Sequence, residues 1–200
     1  MDKHASWGVA DHKKRAYYGL AFISCGFGLF FGVLAGHLLD AARFQTLYQY
    51  LAAYFQTDFP QSSAQMIYQS LVQANILDVS KLLFLGFCLI GAPLIILQLF
   101  IKGFSLGFTL SLFFKGLAIK QALAGLSILL LAHIVPVALL LAAGAYALQS
   151  SWTLFLGQGY NWLRYLLYGV FFILAILAAS CLEGFLLHSV FAAYLTQLFA

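Results

Sequence analysis

The stretch YGLAFISCGFGLFFGVLAGHLL, Tyr18 to Leu39, decides the fold: 22 residues in a row without an Asp, Glu, Lys or Arg. A bilayer core about 30 Å thick takes about 20 apolar residues of helix, so this run is long enough to cross it. It exceeds the ~7–15 apolar residues of a signal peptide, and no A-x-A-like cleavage site follows closely, so it reads as a retained anchor. Lys13, Lys14 and Arg15 stand just before it, with Lys3 further out. Basic residues beside a span mark its cytoplasmic side, which places the tail, residues 1–17, inside the cell.

The rest of the chain has the same character. Hydrophobic residues make up 64% of the 200, against ~45–50% in soluble domains. Charged residues make up 8%, against ~25%. Ten basic and six acidic side chains cannot coat a soluble surface of this size. A cytosolic enzyme and a secreted domain are therefore excluded. Four of the ten basic residues, Lys3, Lys13, Lys14 and Arg15, sit together before the first span, where they are a topology signal, so the net charge of +4 does not imply a nucleic-acid partner. With no internal repeat and no linker, residues 1–200 read as a single integral membrane domain, an all-α polytopic helical bundle in contact with the lipid bilayer.

Further spans are expected at Leu82–Ile101 and from Tyr165 to about Leu187. Two segments between them are harder to place. Gly103–Ile119 is short and carries Lys115, so it crosses or dips in and returns. Gln121–Leu148 holds Pro136, which removes a backbone hydrogen bond near its middle and leaves either a kinked helix or a broken one. Counting both gives about five transmembrane helices. Five crossings put Lys3, Lys13, Lys14, Arg15, Lys102 and Arg164 inside, against Arg43, Lys81, Lys115 and Lys120 outside. A re-entrant Gly103–Phe114 moves Lys115 and Lys120 inside and Arg164 out, and the balance does not decide between the two. Trp152, Tyr160 and Trp162 flank the last span, where amphipathic aromatics settle at the membrane boundary.

One portion outside the membrane has size, residues 40–80, which reads as two extracytoplasmic amphipathic helices. Phe44, Leu47, Tyr48, Leu51, Tyr54 and Phe55 recur at helical spacing opposite Gln45, Gln49 and Gln56. Thr57-Asp58-Phe59-Pro60 ends the first helix. Ser62 and Gln65 form a capping box for the second, in which Gln65, Gln69 and Gln73 make a polar stripe. The pair lies in the headgroup layer or offers an uncharged surface to a partner, with Gln65, Gln69 and Gln73 as the candidate contacts.

Few residues suggest chemistry. His133 and Glu183 are ionisable groups inside spans, where each costs about 2.5–3.5 kcal/mol or more and needs protein or water to face. A contact between them would meet that need, as a polar clamp between helices or as part of an ion path. Gly103-Phe104-Ser105-Leu106-Gly107 matches the G-x-S-x-G nucleophile elbow, but that motif works on a strand-to-helix turn. In an apolar span such glycines more often allow close packing. Gly28, Gly32 and Gly36 form a doubled G-x-x-x-G, as Gly103 and Gly107 do singly. Their neighbour is another helix of this chain or a second copy, so a homo-oligomer stays open. The histidines make no H-E-x-x-H and no i, i+4 pair, and no phosphate loop opens a helix, so no metal, cofactor or catalytic residue is expected. Cys25, Cys88 and Cys181 sit singly in apolar runs and read as small hydrophobes.

The run FIKGFSLGFTLSLFF, Phe100–Phe114, resembles the stage II sporulation protein M family. IGAPLIIL (Ile90–Leu97), LAHIVPVALLLAAG (Leu131–Gly144) and AASCLEGFLL (Ala178–Leu187) resemble its other conserved segments. The resemblance implies a multi-pass protein of the cell membrane in endospore formers, acting at the septum as the mother cell engulfs the forespore. It also implies a non-catalytic scaffold whose partners are the peptidoglycan-cleaving stage II sporulation proteins D and P. The alternative from a different class is a small-solute or ion transporter using His133 and Glu183. A third, a membrane serine protease, would use Ser105 with His133 as base.

Overall fold

The computed structural model describes residues 3–53, 64–116, 119–157 and 161–186. Six helices occupy them: α1 (Lys3–His37), α2 (Ala41–Ala53), α3 (Ala64–Gly86), α4 (Gly91–Gly116), α5 (Ile119–Phe155) and α6 (Trp162–Leu186). The expected all-α membrane bundle is the observed architecture. Four stretches are long and apolar enough to cross a bilayer: Arg15–His37, Gly91–Gly116, His133–Phe155 and Trp162–Leu186. The expectations on Tyr54–Pro60, the Ser62 cap, Tyr160 and Leu187 lie outside the described residues, as does the side chain of Gln65.

Contacts fix the direction of each helix. Along α1, Gly28 abuts the backbone at Phe100, Gly32 that at Phe104, and Gly36 the side chain of Ser111. The numbers rise together, so α1 and α4 run parallel. Gly144 of α5 lies against Leu99, and Ser151 reaches Cys88, so α5 returns antiparallel to α4. In α6, Tyr165 pairs with Leu83, Glu183 with Asn75 and Gly184 meets Tyr68, so α6 is antiparallel to α3. Between the parallel α1 and α4 the chain must come back, and α3 brings it. Its 23 residues reach roughly 35 Å at 1.5 Å per residue, the full depth of the bundle. The core lies between these helices, with Val79, Leu82, Ile95, Leu99, Ala143, Leu148 and Ile176 buried.

Three expected boundaries are corrected. Leu82–Ile101 is not one span, because the chain turns at Phe87–Ile90, between α3 and α4. Phe87 N–H bonds to Phe84 O and Cys88 N–H to Leu85 O, which closes tight turns. At Gly91 a Cβ would collide with Leu85 O, so only glycine fits. Pro93 falls in the first turn of α4, where its missing N–H costs nothing. Gly103–Ile119 is neither a separate span nor a re-entrant dip, because Lys102 and Gly103 sit inside the continuous α4. Glycine there makes room for the carbonyl of Cys25 rather than a turn. The second of the two amphipathic helices of residues 40–80 runs on to Gly86 and packs inside the bundle against α4, α5 and α6. Pro136 does not break α5, which stays helical from Ile119 to Phe155.

The turn at Phe87–Ile90 is locked by aromatics. Phe87 stacks on Trp162 at 5.4 Å and meets Tyr165 edge-on at 4.5 Å. The buried Tyr165 hydroxyl donates to Leu83 O at 2.7 Å, a carbonyl the helix end leaves without its usual partner. At the opposite end of the bundle, Lys115 Nζ donates to Leu39 O at 2.9 Å and sits 5.2 Å from the Phe44 ring centroid, tying α2 to the ends of α1 and α4.

Candidate functional site

Two acid–base pairs face one cleft at mid-depth in the bundle. In α3, Asn75 and Asp78 are three residues apart and so share a face. Lys102 Nζ of α4 donates to Asp78 Oδ2 at 2.7 Å. Lys81 Nζ lies 4.0 Å from Asp78 Oδ1. Gln98 Nε2 donates to the backbone oxygen of Asp78 at 3.1 Å. The second pair is His133 Nδ1 with Glu183 Oε1, which joins α5 to α6. The other carboxylate oxygen of Glu183 accepts from Asn75 Nδ2 at 2.8 Å, and the same amide nitrogen donates to Ser180 Oγ at 3.0 Å.

Burial separates the roles. The Glu183 side chain is 2% exposed, whereas His133 is 29%, Lys102 30% and Asp78 24% exposed. Glu183 is thus a structural node whose hydrogen bonds offset the desolvation of its carboxylate. The other three open onto a cleft of about 660 Å³. Its floor carries Asn75, Asp78, Lys102, Ser105, His133 and Glu183, and its walls include Leu94, Leu97 and Ile101. A charged pair this deep that still shows a quarter of its side-chain surface must face water or a polar guest, since hydrocarbon would charge several kcal/mol for it.

The structure brings His133 and Glu183 together, although Glu183 stands near the end of its helix. Their depths match because α6 starts level with Phe87 and ends beside Tyr68. Ser105 lies inside α4 and its hydroxyl donates to Ile101 O at 3.0 Å, so the G-x-S-x-G run is helical throughout. Gly28 and Gly32 meet α4 backbone, and Gly103 and Gly107 meet the carbonyls of Cys25 and Leu29. The glycine face of α1 is therefore occupied within this chain. Gln69 and Gln73 are exposed on α3, turned away from the cleft. Among the described residues no three His, Cys, Asp or Glu side chains converge on a point.

Sequence reading missed Asp78, Lys102, Asn75 and Gln98. Asp78 and Asn75 lay in what read as a surface helix, and Lys102 in what read as a loop. The available signal was Asn75, Asp78 and Lys81 at intervals of three, facing one side of a helix that continues into the apolar Leu82-Leu83-Phe84-Leu85.

No curated protein and no solved structure matches the chain. A family model described as Stage II sporulation protein M matches residues 21–186. That segment runs from the first glycine-rich helix through the turn at Phe87–Ile90 and the Asp78–Lys102 and His133–Glu183 contacts to the end of α6. The chain therefore belongs to the stage II sporulation protein M family, a family of sporulation-related membrane proteins.

Proposed function

We propose that this protein is a non-catalytic scaffold of endospore formation, holding peptidoglycan-cleaving partners, the stage II sporulation proteins D and P, at the septal membrane during engulfment. The family match over residues 21–186 carries this reading. The structure adds support in the form of an exposed face at the His37 end: α2, whose Phe44 ring lies 5.2 Å from Lys115 Nζ, and the exposed Gln69 and Gln73 of α3. In this reading the Arg15 end lies in the cytoplasm. Lys3, Lys13, Lys14, Arg15, Lys81 and Arg164 belong to that half of the bundle, against Arg43, Lys115 and Lys120 at the other end, the asymmetry the positive-inside rule requires.

Replacing Gln65, Gln69 and Gln73 together by alanine tests the docking face. Recovery of the two partners on the tagged protein should drop while membrane insertion is unchanged. Full recovery rejects this face as the contact. The cleft favours a second reading, a small-solute or ion carrier, because it places His133 and Glu183 in one polar space. Flux into proteoliposomes that disappears with His133→Ala would support a carrier; absence of flux leaves the scaffold.

A further inference from the structure

We propose that the groove between α3 and α4 takes the phosphate headgroup of a membrane phospholipid, held between Lys81 and Lys102, with its acyl chains lying over Leu94, Leu97 and Ile101. Charge is the first support. Two ammonium groups attend one carboxylate, Lys102 Nζ at 2.7 Å and Lys81 Nζ at 4.0 Å from the Asp78 oxygens. That cluster carries one unmatched positive charge, and each lysine keeps donors that Asp78 does not use. A phosphate diester offers one negative charge and oxygen acceptors, the complement that lysine binds as a point charge.

Depth is the second support. Lys102 stands 11 residues into α4, about 16 Å along the axis from Gly91. A cation there needs a lasting polar environment, and Asp78 alone does not neutralise both lysines. Shape is the third. On α4 the residues lining the groove alternate between polar floor and apolar rim at helical spacing. Leu94, Leu97 and Ile101 are 46%, 51% and 54% exposed, so in a bilayer the groove opens sideways to lipid rather than only to solvent. A polar seam with an apolar, laterally open rim fits an amphiphile of the bilayer better than a water-soluble solute.

The test uses the full-length protein in vesicles of phosphatidylethanolamine and phosphatidylglycerol. A phosphatidylglycerol carrying a photoreactive diazirine in its headgroup is crosslinked, and the labelled peptides are mapped. The expected label concentrates on the groove-lining parts of α3 and α4 around Lys81, Lys102 and Ser105. It should exceed that from the same lipid with the diazirine at the acyl terminus. Lys81→Gln changes an exposed side chain and should lower groove labelling about tenfold through loss of one charged hydrogen bond. Excess free glycerol 3-phosphate should leave the wild-type label intact. Competition by the free ester would reassign the site to a soluble phosphate and overturn the lipid assignment. Label spread evenly over the lipid-facing sides of α1 and α6, or groove label indifferent to Lys81→Gln, would overturn it as well.

Discussion

Ser111 and Ser151 are both buried, at 4% and 0% exposure, yet they should respond oppositely to the same substitution. Ser151 Oγ donates to Cys88 O at 2.8 Å, linking α5 to the turn that starts α4. Cys88 O also accepts from Gly91 N–H, so Ser151→Ala removes a bond without stranding the carbonyl. A loss of about 0.6–1.5 kcal/mol is expected, the range for a single hydrogen bond in membrane and soluble proteins. Ser111 Oγ, packed against Gly36, has no hydrogen-bond partner. A buried hydroxyl without a partner is a cost, so Ser111→Ala should leave stability unchanged or raise it. Thermal midpoints of both variants in one mild detergent check the pair, and equal losses would contradict the hydrogen-bond assignment.

At the scale of elements, the contact between α1 and α4 is made by glycines, and two positions on one turn of α1 separate packing from helix propensity. At Gly26 a Cβ would find no atom within 4 Å, whereas at Gly28 it would strike the backbone carbonyl of Phe100. Alanine gains up to about 1 kcal/mol of propensity at either site. At Gly28 that gain is outweighed by overpacking, typically about 1–3 kcal/mol and here against backbone that cannot rotate aside. Gly26→Ala should therefore stabilise slightly and Gly28→Ala destabilise, read as midpoints of thermal unfolding. The pairing of Gly28 and Gly32 with Gly103 and Gly107 also shows what could be read from the sequence. Four-residue glycine spacing announced two close-packing faces, and the apolar length of Tyr18–Leu39 announced a helix through the membrane. Spacing does not name the partner of a face, however, so α1 with α4 required the structure. The turn at Phe87–Ile90 was obscured because its residues are as apolar as the helices beside it; only Gly86, Gly91 and Pro93 punctuate it. The candidate site was half legible. His133 and Glu183 stood out as lone ionisable groups in oil, while Asp78 and Lys102 were assigned to water because apolarity alone set the span limits.

For the whole molecule, parity decides what hydropathy cannot. Four stretches qualify as spans by length and composition, but α1 and α4, the first two of them, run parallel. Two successive parallel spans require an intervening passage, and α3 supplies it with Asn75, Asp78 and Lys81 on board. These polar groups are tolerated because Asn75 and Asp78 bond to α6 and α4, while the Lys81 ammonium stays 4.0 Å from the Asp78 carboxylate in the polar groove. The exposed side of α3 turns apolar in its second half, with Leu77 at 48% and Phe84 at 70%, as a lipid-facing helix would. The bundle thus has five passages through its depth, and positions at the two ends must alternate in sidedness. In a background lacking Cys25, Cys88 and Cys181, Leu38→Cys and Leu89→Cys lie at opposite ends, in exposed turns flanking α2–α3. A membrane-impermeant maleimide applied to intact cells should label the position-38 cysteine and reach the position-89 cysteine only after permeabilisation. Labelling of both from the same side would mean that α3 lies flat on the membrane, and the polar cleft it helps to wall would then face water at the surface instead of the bilayer's middle.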